Sequence, residues 1–163
     1  MSGMIIRPAT VSDVPAMHQF IRDLAEYERE PEAVVATAED LARSLFGAQP
    51  ALFAHVAEVD GQVVGMAVWF LTYSTWEGRH GIWLEDLYVD PDVRGQGIGG
   101  TLLRTLAAIA VERGYRRVEW SVLDWNEPAI RAYEAVGAVP MDGWHTRRLT
   151  GEALQRAATS ARA

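Results

Sequence analysis

Four glycines fall within the six positions Gly95 to Gly100 of the stretch DPDVRGQGIGGTLLR, between a strand-like run and a helix-like one. Backbone that bare offers N–H groups with no side chain in the way. At the start of a helix such groups point outward with the positive end of the helix dipole behind them. With Arg94 beside them, Gly95, Gln96, Gly97, Ile98, Gly99 and Gly100 read as an anion cradle suited to a pyrophosphate. Gly95, Gly97 and Gly100 also satisfy G-x-G-x-x-G, with Glu119 further on where a ribose-binding acid would be sought. A dinucleotide fold, however, places such glycines directly after a buried strand, usually the first, whereas Asp90 to Arg94 intervene here and half the chain comes before. The Lys-Ser/Thr pair of a P-loop is missing.

Other side chains could do proton chemistry. Glu85 and Asp86 are adjacent on a strand-like run, so alternation sends them to opposite faces and only one can enter a given pocket. Tyr27 and Glu28 lie at a polar helix end together with Glu26 and Glu30, a pattern shared with ordinary solvated helix ends. His18, His55, His80 and His145 form no i,i+4 pair and no cluster with carboxylates, so no metal site is expected. Tyr133 sits with Ile130 and Val136 at the spacing of a buried helix face. Trp76 and Trp125 could wall a site for a cation, or pack as two of six tryptophans in a small chain.

Composition limits what these residues can serve. A chain of 163 residues with 49% hydrophobic content suffices for one well-buried domain, and a single domain over residues 1–163 is expected. No apolar run reaches a membrane-spanning length, and MSGMIIRPAT does not read as a signal peptide, so the expectation is a soluble cytoplasmic protein with no membrane partner. A net charge of −7, from fifteen Lys and Arg against twenty-two Asp and Glu, disfavours nucleic acid. With no cysteine, disulfides, thiolate metal sites and cysteine-bound acyl intermediates are excluded.

The elements that must position these groups alternate along the chain. Ile5 to Arg7 reads as a strand, and Ser12 as the cap of a helix carrying Val14, Met17, Ile21 and Leu24 on one face. Thr37 with Asp40 forms a loose capping box for a second helix that stops at Phe46-Gly47. Leu52 to Val59 and Val63 to Thr72 are strands joined at Asp60-Gly61, a hairpin turn signal. The loop YSTWEGRHG leads to a strand over Ile82 to Val89, then the glycines and a long helix ending before Gly114. A strand over Val118 to Leu123 follows, then a helix opened by Pro128 and ended by Gly137. Trp144 to Leu149 is expected as a last strand and Glu152 to Ala163 as a helix. The order fits an α/β (α+β) fold: a mixed, mainly antiparallel sheet with helices on both faces and a crossover around the glycines.

Arg94 to Gly99 resembles the acetyl-CoA pyrophosphate loop of the GNAT superfamily of N-acetyltransferases, with pattern [Q/R]-x-x-G-x-[G/A]. IRPAT, LAEYE, YSTWEGR, LEDLYV and LDWNEPAIRAYEAVGA narrow the resemblance to the diamine and thialysine N-acetyltransferases, from about Ile5 to Leu154. YSTW, LDWN and Gly143-Trp144 lean toward the thialysine side. The tight Asp60-Gly61 turn, where animal members carry a longer insertion, and a shortened stretch before Gly143 depart from the pattern.

The resemblance implies the GNAT fold, with splayed strands holding acetyl-CoA, and transfer of its acetyl group to a primary amine in a ternary complex. It implies that backbone of Leu87, Tyr88 and Val89 holds pantetheine and the acetyl carbonyl, and that Asn126, Glu127, Pro128 and Ala129 lie along the cofactor. Tyr133 matches the general acid that protonates the departing thiolate. Glu85 matches a residue that binds the amine and accepts its proton through water, with Asp86 facing away; Tyr27, Glu28, Glu119, Trp120 and Ser121 match acceptor-lining positions. A homodimer is implied as well. A different acceptor, such as a protein N-terminus, an aminoglycoside or another amino acid, and a non-catalytic acyl-CoA sensor stay open, because the cofactor half of such a fold is shared while the acceptor half varies.

Overall fold

The computed structural model describes residues 3–161. The chain divides into two compact units, Met1–Asn126 and Glu127–Ala163. The first unit is built on a sheet of five strands in the order β1-β2-β3-β4-β5. These are β1 (Met4–Pro8), β2 (Phe53–Val59), β3 (Gln62–Ser74), β4 (Arg79–Val89) and β5 (Val118–Glu119). β1 to β4 are antiparallel neighbours, and β5 joins β4 in parallel. The β2–β3 turn is the predicted one, with Asp60 at φ 50° and Gly61 at φ 79°, a left-handed pair whose twist suits a two-residue hairpin.

β3 is buried from Val64 to Trp69, the mark of a central strand covered on both faces. One face carries Ala54, Val56, Met66, Val68 and Tyr88 and packs on α1 (Val14–Tyr27) and α2 (Ala38–Phe46) through Val14, Met17, Phe20, Leu41 and Leu45. α2 starts as predicted: Thr37 Oγ1 accepts from the Asp40 amide at 3.1 Å, and Asp40 accepts from the Thr37 amide at 2.9 Å. The opposite face buries Ala67, Trp69, Ile82 and Leu84. It lies against α3 (Ile98–Glu112), whose buried side chains are Ile98, Leu102, Leu103, Leu106 and Ala110.

The start of α1 is fixed by charge. The Arg7 guanidinium forks onto both carboxyl oxygens of Asp13 at 2.7 and 3.0 Å and donates from Nε to Glu58 at 2.9 Å. Asp13, 5% exposed, also accepts from the Thr10 amide at 2.7 Å. Thr10 and Asp13 therefore shape this corner, where the sequence pointed to Ser12; a 3-10 turn over Val11–Asp13 precedes the helix, and the Ser12 hydroxyl meets only that of Thr10 at 2.9 Å.

Two predicted strands are shortened or absent. β5 stops at Glu119 instead of Leu123, and residues 144–149 take no regular structure. Both runs have β-forming composition, but a strand exists only where another offers a ladder, and among the described residues no ladder includes residues 120–123 or 144–149. In the second unit, α4 (Glu127–Ala135) holds Pro128 in its first turn. It ends in a left-handed Gly137, φ 91°, with the Ala138 amide bonded back to the Tyr133 carbonyl at 3.1 Å. α5 spans Gly151–Ser160, and the last two residues predicted helical lie outside the described residues. Among the described residues no helix is long and apolar enough to cross a membrane.

Asp13 carries the first testable consequence. Asp13→Ala removes the fork on the Arg7 guanidinium, leaving it Glu58, and strands the Thr10 amide, so urea denaturation should show a loss of about 1–3 kcal/mol. Arg7 holds the Asp13 carboxyl below the usual carboxylate range. The stabilisation is therefore present above that range and lost as the pH falls through Asp13's lowered value, so the mutant's deficit should shrink in acid.

Candidate active site

The glycine loop begins where β4 ends. Asp90 accepts from the Asp92 amide at 2.9 Å, turning the chain, and Arg94 Nε donates to the Val89 carbonyl at 3.1 Å. Gly95 at φ 83° and Gly97 at φ 76° hold backbone that L side chains rarely adopt. A Cβ on either would meet no atom within 4 Å, so conformation and not crowding calls for glycine, and the space above them is open. Gly97 is the N-cap of α3 and supplies no side-chain cap. The first-turn amides of Ile98, Gly99 and Gly100 therefore face outward without intrahelical acceptors. Ile98 contributes backbone only, because its side chain is 2% exposed and packed in the core.

Beside this loop the sheet comes apart. The β4–β5 ladder contains only Ile82↔Val118 and Trp83↔Glu119, so among the described residues Leu84 to Val89 have β3 on one edge and no strand on the other. Leu87 and Val89 are half-buried on that stretch. Tyr88 is 6% exposed, its ring stacked on Phe20 at 4.8 Å, so only its backbone is offered to the open edge.

The carboxylates depart from the alternation read in the sequence. The β3–β4 register steps from Trp69↔Leu84 to Val68↔Asp86, leaving Glu85 as an extra residue in a β-bulge. Alternation lapses there, and the expected segregation of Glu85 and Asp86 to opposite faces does not hold. Glu85 is exposed and accepts from the Trp83 indole at 3.0 Å. Asp86 is the more buried acid, on the α1 side with Val68 and Tyr88. Burial first, then the charges of Glu85 and Glu28, pushes its carboxyl up to about 6. Burial also raises Glu28. Three acids thus share one region at the end of α1.

Residues 15–138 match the acetyltransferase (GNAT) family. The chain belongs to this family. It is 38% identical to a thialysine N-epsilon-acetyltransferase of Bos taurus, over 97% of this chain and 99% of that protein. It is 31% identical to an L-ornithine N5-acetyltransferase of Arabidopsis thaliana, over 92% of this chain and 86% of that protein. An integron cassette protein from V. cholerae shares the fold, with a TM-score of 0.79 at 24% identity over 97% of this chain and 98% of that one.

GNAT proteins use acetyl-CoA as donor, and the residues present fit it. Open left-handed glycines and outward amides of α3 suit a pyrophosphate, and the unpaired β4 edge suits an amide-bearing arm. Within the first unit, Tyr27 gathers several expected residues. Its hydroxyl donates to Asn126 Oδ1 at 3.2 Å, and the Arg94 guanidinium lies 5.8 Å from its ring centre. Tyr27, Tyr88 and Arg94 line one groove of about 490 Å³ with Asp23, Glu26 and Asp90. Glu28 and Glu85 belong instead to the acid cluster of this GNAT chain. Glu119, half-buried at the end of β5, borders a small cavity of about 40 Å³ with His80 and Arg117. Trp120 and Ser121 follow it outside the ladder, half-buried and exposed. Glu127, Pro128, Ala129 and Tyr133 lie on α4 of the second unit, where Ala129 and Tyr133 are half-buried. Among the described residues no group of three His, Cys, Asp or Glu could hold a metal.

Asp86 is the buried acid that alternation hid, yet a signal was present. Apolar residues fall on Ile82 and Leu84, then on Leu87 and Val89, and this change of parity across Glu85-Asp86 is the imprint of a bulge. A carboxyl whose value is raised on folding binds more protons folded than unfolded, so stability falls as the pH rises from about 4 to about 6. Asp86→Asn should therefore stabilise the protein by about 2 kcal/mol at pH 7 in urea denaturation and by almost nothing at pH 4.

Proposed function

We propose that the protein transfers the acetyl group of acetyl-CoA to a primary amine of a small cationic acceptor, a thialysine- or lysine-like amino acid or a diamine, by direct transfer in a ternary complex. The observation that carries this reading is the acid cluster of Glu28, Glu85 and Asp86. At neutral pH it holds mutually repelling charge in a partly buried place, and an ammonium group relieves that repulsion. The relatives named for thialysine N-epsilon and L-ornithine N5 acetylation support the same acceptor class. The resemblance to that subgroup supports a cytoplasmic homodimer.

In this reading the backbone of Arg94 to Gly100 holds the pyrophosphate, and Leu87 to Val89, with Asn126 to Ala129, flank the rest of the cofactor. Acetyl-CoA supplies a thioester carbonyl for the amine to attack and a thiolate to leave. An ammonium is no nucleophile, so the chain must first take up its proton, and Glu85, exposed beside Asp86, receives it through water. Tyr133 protonates the thiolate. Tyr27, Glu28, Glu119, Trp120 and Ser121 line the acceptor side, and Asp86 joins Glu28 in holding the cation. With no cysteine in the chain, the acetyl group passes straight to nitrogen.

Thiol release from acetyl-CoA, measured across thialysine, lysine, diamines, spermidine and an N-terminal peptide, tests the proposal. Release is expected with the small cationic amines and not with the peptide; CoA binding without release from any of them would favour the sensor reading. Tyr133→Phe should lower turnover by at least about tenfold with CoA affinity nearly unchanged. Glu85→Gln should slow the amine step more than it weakens CoA, and an unchanged rate across the pH profile would remove Glu85 from the proton path.

A further inference from the structure

Arg29 follows the last turn of α1 in an unusual state. Its φ is 66°, one of two positive values among non-glycine residues of the described chain. The Glu30 amide bonds back to the Ala25 carbonyl at 2.9 Å and the Arg29 amide to Glu26 at 3.0 Å, so the helix ends in a Schellman turn with Arg29 where glycine is usual. A side chain in left-handed backbone carries strain that glycine would not. Its guanidinium carbon lies 4.0 Å from the centre of the Trp125 ring. Trp125 also faces Tyr27 at 6.0 Å, and the next residue, Asn126, accepts the Tyr27 hydroxyl bond at 3.2 Å.

These contacts lie across the gap in the sheet. β4 and β5 part after Trp83 and Glu119; the glycine loop follows one strand and the Trp125-Asn126 loop follows the other. The end of α1 touches both, through Tyr27 against Arg94 on one side and Arg29 and Tyr27 against Trp125 and Asn126 on the other. The left-handed turn also swings the Arg29 charge onto an aromatic face, and among the described residues no ion pair joins it to Glu28.

We propose that Arg29 and Trp125 are a positioning pair for acetyl transfer: the cation–π contact ties the loop after β5 to the end of α1, fixing the width of the cofactor cleft and leaving Glu28 unneutralised for the acceptor. This rests on the reading of the glycine loop and Asn126 as the acetyl-CoA site. Neither side chain touches reacting atoms. Arg29 acts through Trp125, and Trp125 through Asn126.

Arg29→Gly separates this role from a purely structural one, because glycine suits a φ of 66° and should leave the melting temperature unchanged or raised. Titration calorimetry with acetyl-CoA should show Arg29→Gly binding about two- to fivefold more weakly than wild type, the scale of an exposed cation–π contact. Arg29→Lys should restore affinity to within about twofold of wild type, since an ammonium can also sit on the ring. The double variant with Trp125→Ala should bind no more weakly than Trp125→Ala alone, because the two act as one unit. In steady-state assays KM for acetyl-CoA should rise in Arg29→Gly with kcat little changed. Wild-type affinity in Arg29→Gly, or additive losses in the double variant, would overturn the pairing while the acetyl-CoA site stands. Absence of acetyl-CoA binding by wild type would overturn the site and the pairing with it.

Discussion

Past Trp83, β4 has hydrogen-bonding groups on one edge that no strand satisfies. A buried amide or carbonyl left unpaired costs about 1–3 kcal/mol, so such an edge persists only if water or a ligand reaches it. The rest of the first unit is arranged around that constraint. β3 must hold β4 along its whole length because β5 does not, and β3 is accordingly buried from Val64 to Trp69, with α1 and α2 on one face and α3 on the other. The glycine loop starts immediately beyond the unpaired stretch, and the first turn of α3 adds further unpaired amides to it. One short length of chain thus concentrates backbone donors and acceptors that the fold itself does not consume.

The same strand carries the opposite kind of chemistry a few residues earlier. The bulge at Glu85 brings two carboxylates within electrostatic reach, and Glu28 arrives from α1 as a third. With its carboxyl pushed up to about 6, Asp86 is mostly ionised at neutral pH but costly to keep so. Positive helix-end dipole on one side of the strand end and clustered negative charge on the other set two opposite fields along one strand, which suits the polyanionic donor and cationic acceptor of the proposed reaction. The net charge of −7 is a weak statement of that; the local arrangement is a strong one.

What could be read from the sequence divides along the same line. Features fixed by local backbone chemistry were legible: the Asp60-Gly61 hairpin, the Thr37–Asp40 capping box, the glycine turn into α3 and the Pro128 and Gly137 limits of α4. Features that depend on a distant partner were not. Val118 to Leu123 has the composition of a strand along its length, yet its pairing with β4 ends at Glu119. Trp144 to Leu149 finds no ladder at all. Asp86 was misplaced by a rule that holds only in unbulged strands, although the parity of its apolar neighbours recorded the exception. Ser12 looked like a helix cap, but the buried partner of Arg7 is Asp13, and a charge fork outweighs a hydroxyl in deciding how the corner folds.

Donor and acceptor recognition therefore differ in how they are encoded. In the proposed reaction the donor side uses backbone, so its residue requirement is mainly permissive: glycine where φ is positive, at Gly95 and Gly97. Many sequences can meet it, and a protein with 24% identity keeps the fold at a TM-score of 0.79. The proposed acceptor side uses a few carboxylates whose charge depends on burial, on one another and on a one-residue bulge. A one-residue shift of the bulge would change the faces on which these acids lie without touching the glycine loop. The acid cluster can thus change while the fold and the glycine loop stay the same, and the proposed acceptor class rests on Glu28, Glu85 and Asp86 while family membership rests on a match over residues 15–138.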